Sequence, residues 1–214
     1  MDILKKSVVS SQEAIARLKE GNKRFLQDVR SIEAFTSQAK RQELVGGQSP
    51  FAIILSCSDS RAPAEIVFDQ GLGTLFIVRV AGNIVAPSLV GSVEFAAATF
   101  GTQLVVVMGH SLCGAITATI NVIQGKSTVP SKNIADIVQR IRPNIEELSK
   151  SKQDQKEIVQ QAIKANIRAS VNHLRHGSEL LEDLCNKQEL QVVGALYHLE
   201  TGEVEFFEGL SENL

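Results

Sequence analysis

Short, unbroken apolar runs alternate along this chain with longer stretches in which apolar residues recur every three or four positions. Residues 51–55 and 104–108 are continuously apolar and rich in β-branched side chains, as expected of strands covered on both faces in a parallel sheet. Residues 75–80 and 190–197 read as two further strands, and Glu200-Thr201-Gly202-Glu203 as a tight turn into a last one at 204–207. That closing hairpin adds an antiparallel edge strand to four mainly parallel ones.

The helical stretches fill the intervals. Ser10-x-x-Glu13 reads as a capping box opening a helix over about 11–26, with Ile15, Leu18, Asn22 and Phe25 on one stripe. A second stretch at 37–45 ends at Gly46-Gly47. Pro63-Ala64-Glu65 suits the first turn of a short helix through Phe68, and the pattern at 88–100 predicts a helix stopped by Gly101. Further helices are expected at 114–124, at 130–152 with an interruption at Pro143, at 157–174, and after Gly177 to about 184. The fold class is therefore α/β: a central, mainly parallel sheet flanked by helices. The N-terminal helices are free to pack on their own sheet or on a partner subunit.

Composition narrows this picture. The 214 residues show no linker, low-complexity segment or composition shift, so we expect a single domain with a helical arm over 1–47 and an α/β core over 48–214. A net charge of −2 gives no electrostatic footprint for nucleic acid or an anionic membrane. The longest apolar runs are strand-length, and Met1-Asp2-Ile3-Leu4-Lys5-Lys6 lacks the apolar core of a signal peptide, so no membrane association is expected and the location is expected to be cytoplasmic. Three cysteines are too few for a disulfide framework; in a reducing compartment, Cys clustered with His favours metal binding or catalysis.

Such clusters occur where the strands end. Cys57-Ser58-Asp59-Ser60-Arg61 follows one apolar run and His110-Ser111-Leu112-Cys113-Gly114 follows another. In open α/β sheets ligands bind outside the carboxyl ends of the strands, so loops from neighbouring strands can share one site. Catalytic zinc takes three protein ligands and leaves the fourth position open, and Cys57, His110 and Cys113 make three. Asp59 lies two residues beyond Cys57, within reach of a metal-bound water or of the metal. Cys113 falls at a helix amino terminus, where unpaired N–H groups favour a thiolate. The remaining candidates read differently. Cys185, among Leu180, Leu181 and Leu184, is expected to be structural, His173 and His176 to be surface or interface residues without a third ligand, and His198 to be structural.

Together, C-S-D-S-R after one strand and H-S-L-C-G after another resemble the zinc-binding signatures of the β-class carbonic anhydrases. The similarity extends through Phe68-Asp69-Gln70-Gly71 and Val80-Ala81-Gly82-Asn83, covering roughly 48–114 strongly. The resemblance implies one Zn2+ per chain on Cys57, His110 and Cys113, with Asp59 and Arg61 as a carboxylate–guanidinium pair beside it. It implies that Gln48, Phe76, Ala81 and Gly114 line the substrate pocket, Gln48 and Phe76 being contributed by a neighbouring subunit of a homodimer or homotetramer. The implied reaction is reversible hydration of carbon dioxide to bicarbonate and a proton, with Asp59 orienting the hydroxide nucleophile and Arg61 holding Asp59.

Two positions depart from common patterns of that family: Thr74 stands where Asp or Glu is frequent, and Ile54 where members that close their site carry Trp. With Gln48-Ser49-Pro50, Ile54 favours an open site in which Asp59 pairs with Arg61. The alternatives are a hydrolase of carbon disulfide or carbonyl sulfide on the same scaffold, and a noncatalytic zinc protein.

Overall fold

The computed structural model describes residues 9–32 and 37–210. The reading of the first six residues lies outside that range. Five strands form one sheet: β1 (Ala52–Ser56), β2 (Leu75–Arg79), β3 (Leu104–His110), β4 (Gln191–Tyr197) and β5 (Val204–Glu208), in the order β2-β1-β3-β4-β5. The first four pair in parallel and β4–β5 is antiparallel, with a register shift between Gly194 and Ala195. The expected sheet is thus present, hairpin included. Its strands lack polar alternation because both faces are covered. Ile53, Leu55, Val105 and Val107 point into one core, whereas Ala52, Ile54, Val106 and Met108 point into the other.

Helices α4 (Pro87–Phe100), α5 (Gly114–Ile123), α6 (Lys132–Ser149), α7 (Gln155–His176) and α8 (Glu179–Asn186) supply the first core. Gly101 ends α4 in the left-handed conformation at φ 65°, where glycine meets no Cβ penalty. The expected interruption at Pro143 is absent: α6 runs through it. A proline removes one backbone donor, and here the buried stripe of Val138, Ile141 and Ile145 holds the helix together across that gap.

The opposite face is covered by α1 (Ser11–Leu26) and the short α3 (Ala64–Val67). Ser10 Oγ accepts the Glu13 N–H, giving half of the capping box, while the Glu13 carboxylate pairs with Arg17 instead of reaching back. Of the two options for the first helix, α1 takes its own sheet: Ala14, Ile15 and Leu18 are fully buried. The buried Asn22 makes three hydrogen bonds, donating to the carbonyls of Val67 and Gly202 and accepting the Val204 N–H. Helix α2 (Gln38–Leu44) buries none of its residues. Among the described residues no helix is long and apolar enough to cross a membrane.

Asp69 ties the end of α3 to the segment after α1. Its carboxylate accepts from Arg24 Nε at 2.6 Å and from the Ser31 N–H at 3.0 Å, with Arg30 Nη1 3.8 Å away. Burial favours the protonated acid, but these donors outweigh it and hold the pKa below the usual carboxylate value. A depressed folded-state pKa means the contribution is complete above the unfolded carboxyl's pKa and disappears as pH falls through the folded one. Urea unfolding at several pH values should therefore show wild type more stable than Asp69→Asn at neutral pH, with the gap closing in acid. A gap independent of pH would contradict this.

Candidate metal centre

Strands β1 and β3 are neighbours, with Ser56 paired to Met108, so the residues that follow them emerge side by side. Cys57 leaves β1 directly and His110 is the last residue of β3. Leu112, at φ 55°, turns the chain so that Cys113 becomes the N-cap of α5. The two Sγ atoms and a ring nitrogen of His110 then lie within 4.8 Å of one another, and all three residues are buried.

The surroundings fix the state of each donor. His110 Nδ1 sits 2.8 Å from the Ser111 carbonyl oxygen, which can only accept, so the proton is on Nδ1 and the lone pair is on Nε2. Nε2 is buried and has no hydrogen-bond partner. Burial lowers the His110 pKa, but Cys57 and the Ser111 carbonyl raise it further than burial lowers it. The neighbouring Cys113 thiol and the Gly82 N–H at 3.3 Å push the Cys57 pKa down, while the Cys57 sulfur and burial push the Cys113 pKa up. Two thiol sulfurs and an imidazole lone pair converging in a buried pocket form a metal-binding group.

Asp59 lies beside this group, its Oδ2 3.8 Å from His110 Nε2. Arg61 grips it in a fork: Nε donates to Oδ1 at 2.9 Å, Nη2 to Oδ2 at 2.7 Å, and the Arg61 backbone N–H to Oδ1 at 3.0 Å. These donors, the guanidinium first, hold the carboxyl far below its ordinary pKa, so it is ionised.

Of the other sequence candidates, Ala81 and Gly114 adjoin the metal-binding group in the chain, next to Gly82 and Cys113, whereas Gln48 lies on an open groove and Phe76 in mid-strand. Ala81 is half-buried in the 3-10 turn Ala81–Asn83, and Gly114 is exposed as the first residue of α5. Phe76 lies mid-strand opposite Ile53, its ring packed against Phe95 and Phe100 at centroid distances of 6.2 and 6.0 Å. Gln48 is exposed and lines an open groove of about 450 Å³ with Arg41, Leu44 and Leu72. His176 is exposed beside Glu182, His198 faces Glu205, and Cys185 is half-buried.

Two further residues belong to the site. Arg79 donates from Nε to the Cys57 carbonyl at 3.0 Å and from Nη2 to the Asp59 carbonyl at 2.7 Å, bracing the whole first loop. Its signal was a lone cation ending an apolar strand. Ser111 Oγ accepts the Leu199 N–H and donates to Glu200, anchoring the carbonyl that orients His110 to the β4–β5 turn. Nothing in the local sequence pointed to that contact.

A family model described as carbonic anhydrase matches residues 52–204, from the start of β1 to the start of β5, and includes both loops. The chain belongs to the β-carbonic anhydrase family. It is 35% identical over 185 residues to carbonic anhydrase 2 of Mycobacterium tuberculosis, covering 86% of this chain and 87% of that protein. Among solved structures it resembles the β-carbonic anhydrase CafA of Aspergillus fumigatus, with a TM-score of 0.71 at 22% identity over 94% of this chain and 91% of that one. A tetrameric β-carbonic anhydrase of Sordaria macrospora shares the fold at a TM-score of 0.68 and 24% identity, over 78% of this chain and 85% of that one. As a β-carbonic anhydrase the chain is an enzyme of the lyase class.

Proposed function

We propose that this chain hydrates carbon dioxide reversibly to bicarbonate and a proton at a zinc centre on Cys57, His110 and Cys113. The observation that carries this is the buried, unpartnered His110 Nε2 converging with two sulfurs within 4.8 Å, next to an ionised carboxylate. The donor set suits tetrahedral zinc with one open position. A zinc ion there supplies a water acidified enough to act as a hydroxide nucleophile near neutral pH.

The chain's own residues do the rest. Two thiolate charges leave such a centre a weaker acidifier than three neutral imidazoles would, so a neighbouring acceptor must compensate. Asp59, ionised, accepts a hydrogen bond from the nucleophile and turns its lone pair toward carbon. Arg61 occupies both carboxylate oxygens and holds Asp59 off the metal position, which corresponds to the open site. Arg79 fixes the loop backbone on which Asp59 rides. Ala81 and Gly114 flank the thiolates as pocket walls, and Gln48 and Phe76 complete the pocket of a neighbouring subunit in a homodimer or homotetramer. The exposure of Gln48 and the absence of buried residues in α2 support that assembly. Free cysteines support a cytoplasmic location.

Stopped-flow carbon dioxide hydration, with zinc quantified on the same sample, tests the reading. About one zinc per chain with rapid turnover is expected; a chelator should abolish activity and added zinc restore it. Turnover by metal-free protein would refute the proposal, as would inactivity at full zinc occupancy. In the latter case carbon disulfide is the next substrate to try.

A further inference from the structure

The N–H that donates to Cys57 Sγ belongs to Gly82, in the middle of the turn Ala81–Asn83, and that turn is held from behind by α7. The Asn166 side chain, 1% exposed, donates from Nδ2 to the Gly82 carbonyl at 2.9 Å. Its Oδ1 accepts from Asn144 Nδ2 at 3.1 Å, and Asn144 Nδ2 also reaches the Arg140 carbonyl at 3.2 Å. One turn along α7, Ser170 Oγ donates to the Asn83 carbonyl at 3.1 Å. Gly82 itself has no freedom to wander. Its φ is 72°, and a Cβ there would lie 2.8 Å from Ile141 Cδ1 and 3.1 Å from Ala115 Cβ.

We infer that Asn166 is a positioning residue for the metal centre, acting through Gly82 on Cys57. The amide of Asn166 is oriented by Asn144 and fixes the Gly82 carbonyl. That carbonyl belongs to the Gly82–Asn83 peptide, and through the Gly82 Cα, whose φ is fixed at 72°, it orients the preceding peptide, whose N–H points at the Cys57 sulfur, drawing electron density from the thiolate and holding it in register with His110 and Cys113. Hydrogen bonds from groups beyond the ligands tune metal sites in this way, and their loss characteristically costs ~10–100-fold in metal affinity. The inference rests on the reading of Cys57 as a metal ligand.

The test is Asn166→Leu, with Asn144→Leu beside it. A cavity of about 250 Å³ borders both asparagines, so leucine has room at either position. Cobalt is loaded into wild type and variants in place of zinc, and the sulfur-to-cobalt charge-transfer band is recorded along with zinc affinity by chelator competition. Losing the Gly82 hydrogen bond makes the thiolate a stronger donor, so the band should move to lower energy in Asn166→Leu while zinc affinity falls ~10–100-fold. Asn144→Leu, which removes only the group orienting Asn166, should show a smaller shift of the same sign. A folded Asn166→Leu with an unmoved band overturns the inference even if affinity drops, because a merely structural role would give that result. If Asn166→Leu fails to fold, Asn144→Leu decides: a shift to lower energy supports the relay and an unmoved band overturns it. Failure of wild type to take up cobalt or zinc would instead remove the metal-centre reading itself.

Discussion

Replacing Asp59 with alanine is expected to lower kcat for carbon dioxide hydration by roughly 10²–10³-fold, the usual loss when one preorganised polar group facing the reacting atoms is removed. Zinc content should stay at the wild-type level, because Asp59 is not among the three converging donors. The loop should keep its path as well. Arg79 grips the backbone carbonyls of Cys57 and Asp59, neither of which depends on the Asp59 side chain. The loss should therefore fall on kcat more than on KM, as expected for an interaction strongest in the transition state. Arg61→Ala should also lower kcat, since it unclamps the carboxylate that Arg61 holds off the metal position. Wild-type kcat in zinc-replete Asp59→Ala would remove this residue from the mechanism.

A second large effect is expected on the other face of the sheet. In Gly21→Ala, the new Cβ would lie 1.8 Å from the carbonyl oxygen of Phe68 and 2.8 Å from its carbonyl carbon. Alanine is the better helix former by ~1 kcal/mol, so propensity alone predicts stabilisation. The steric term is larger. Phe68 is fully buried, its N–H is bonded to Ala64, and its carbonyl accepts Gln70 Nε2, so its backbone cannot retreat and α1 must move instead. That movement would break the hydrogen bonds of Asn22, the next residue, each worth about 1 kcal/mol net, on top of an overpacking cost of about 1–3 kcal/mol. The net loss should be about 3–5 kcal/mol, or roughly 6–20 °C in Tm for a chain of this size. Activity at low temperature should change little, because α1 lies across the sheet from the helices that carry Cys113 and Asn166. A Gly21→Ala protein as stable as wild type would show that α1 does not dock against Phe68.

The features legible in the sequence were those encoded over short spans. The runs at β1 and β3 announce buried parallel strands, and a Cys or His just beyond such a run falls at a strand end whatever the rest of the chain does. The fork between Arg61 and Asp59 is likewise local, two residues apart. What stayed hidden depends on long separations. Asn166 reaches Gly82 across 84 residues, and Ser111 meets Leu199 across 88. In the sequence Asn166 is one more polar residue in an amphipathic helix, and only the packing of α7 against the turn after β2 gives it a partner. Pro143 illustrates the opposite error: a strong local signal for interruption yields to the apolar stripe that α6 buries. The pocket roles expected of Gln48 and Phe76 come from the family resemblance alone; in the fold Gln48 is exposed on an open groove and Phe76 packs on the core that holds both cysteines.

The three hydrogen bonds of Asn22 also set an order of events. Two of its partners, Gly202 and Val204, lie 180 and 182 positions further on. Those partners are synthesised some 180 residues after Asn22, so α1 is fully locked in place only after the rest of the sheet has been made. Until β5 arrives, two of the three hydrogen bonds of Asn22 are unmade, and α1 is held by the remaining bond to the Val67 carbonyl, by Arg24 on Asp69 and by apolar contact. Helix α1 and strand β5 thus mature together, and removing residues 202–208 would loosen α1 while leaving β1, β3 and the loops they deliver intact.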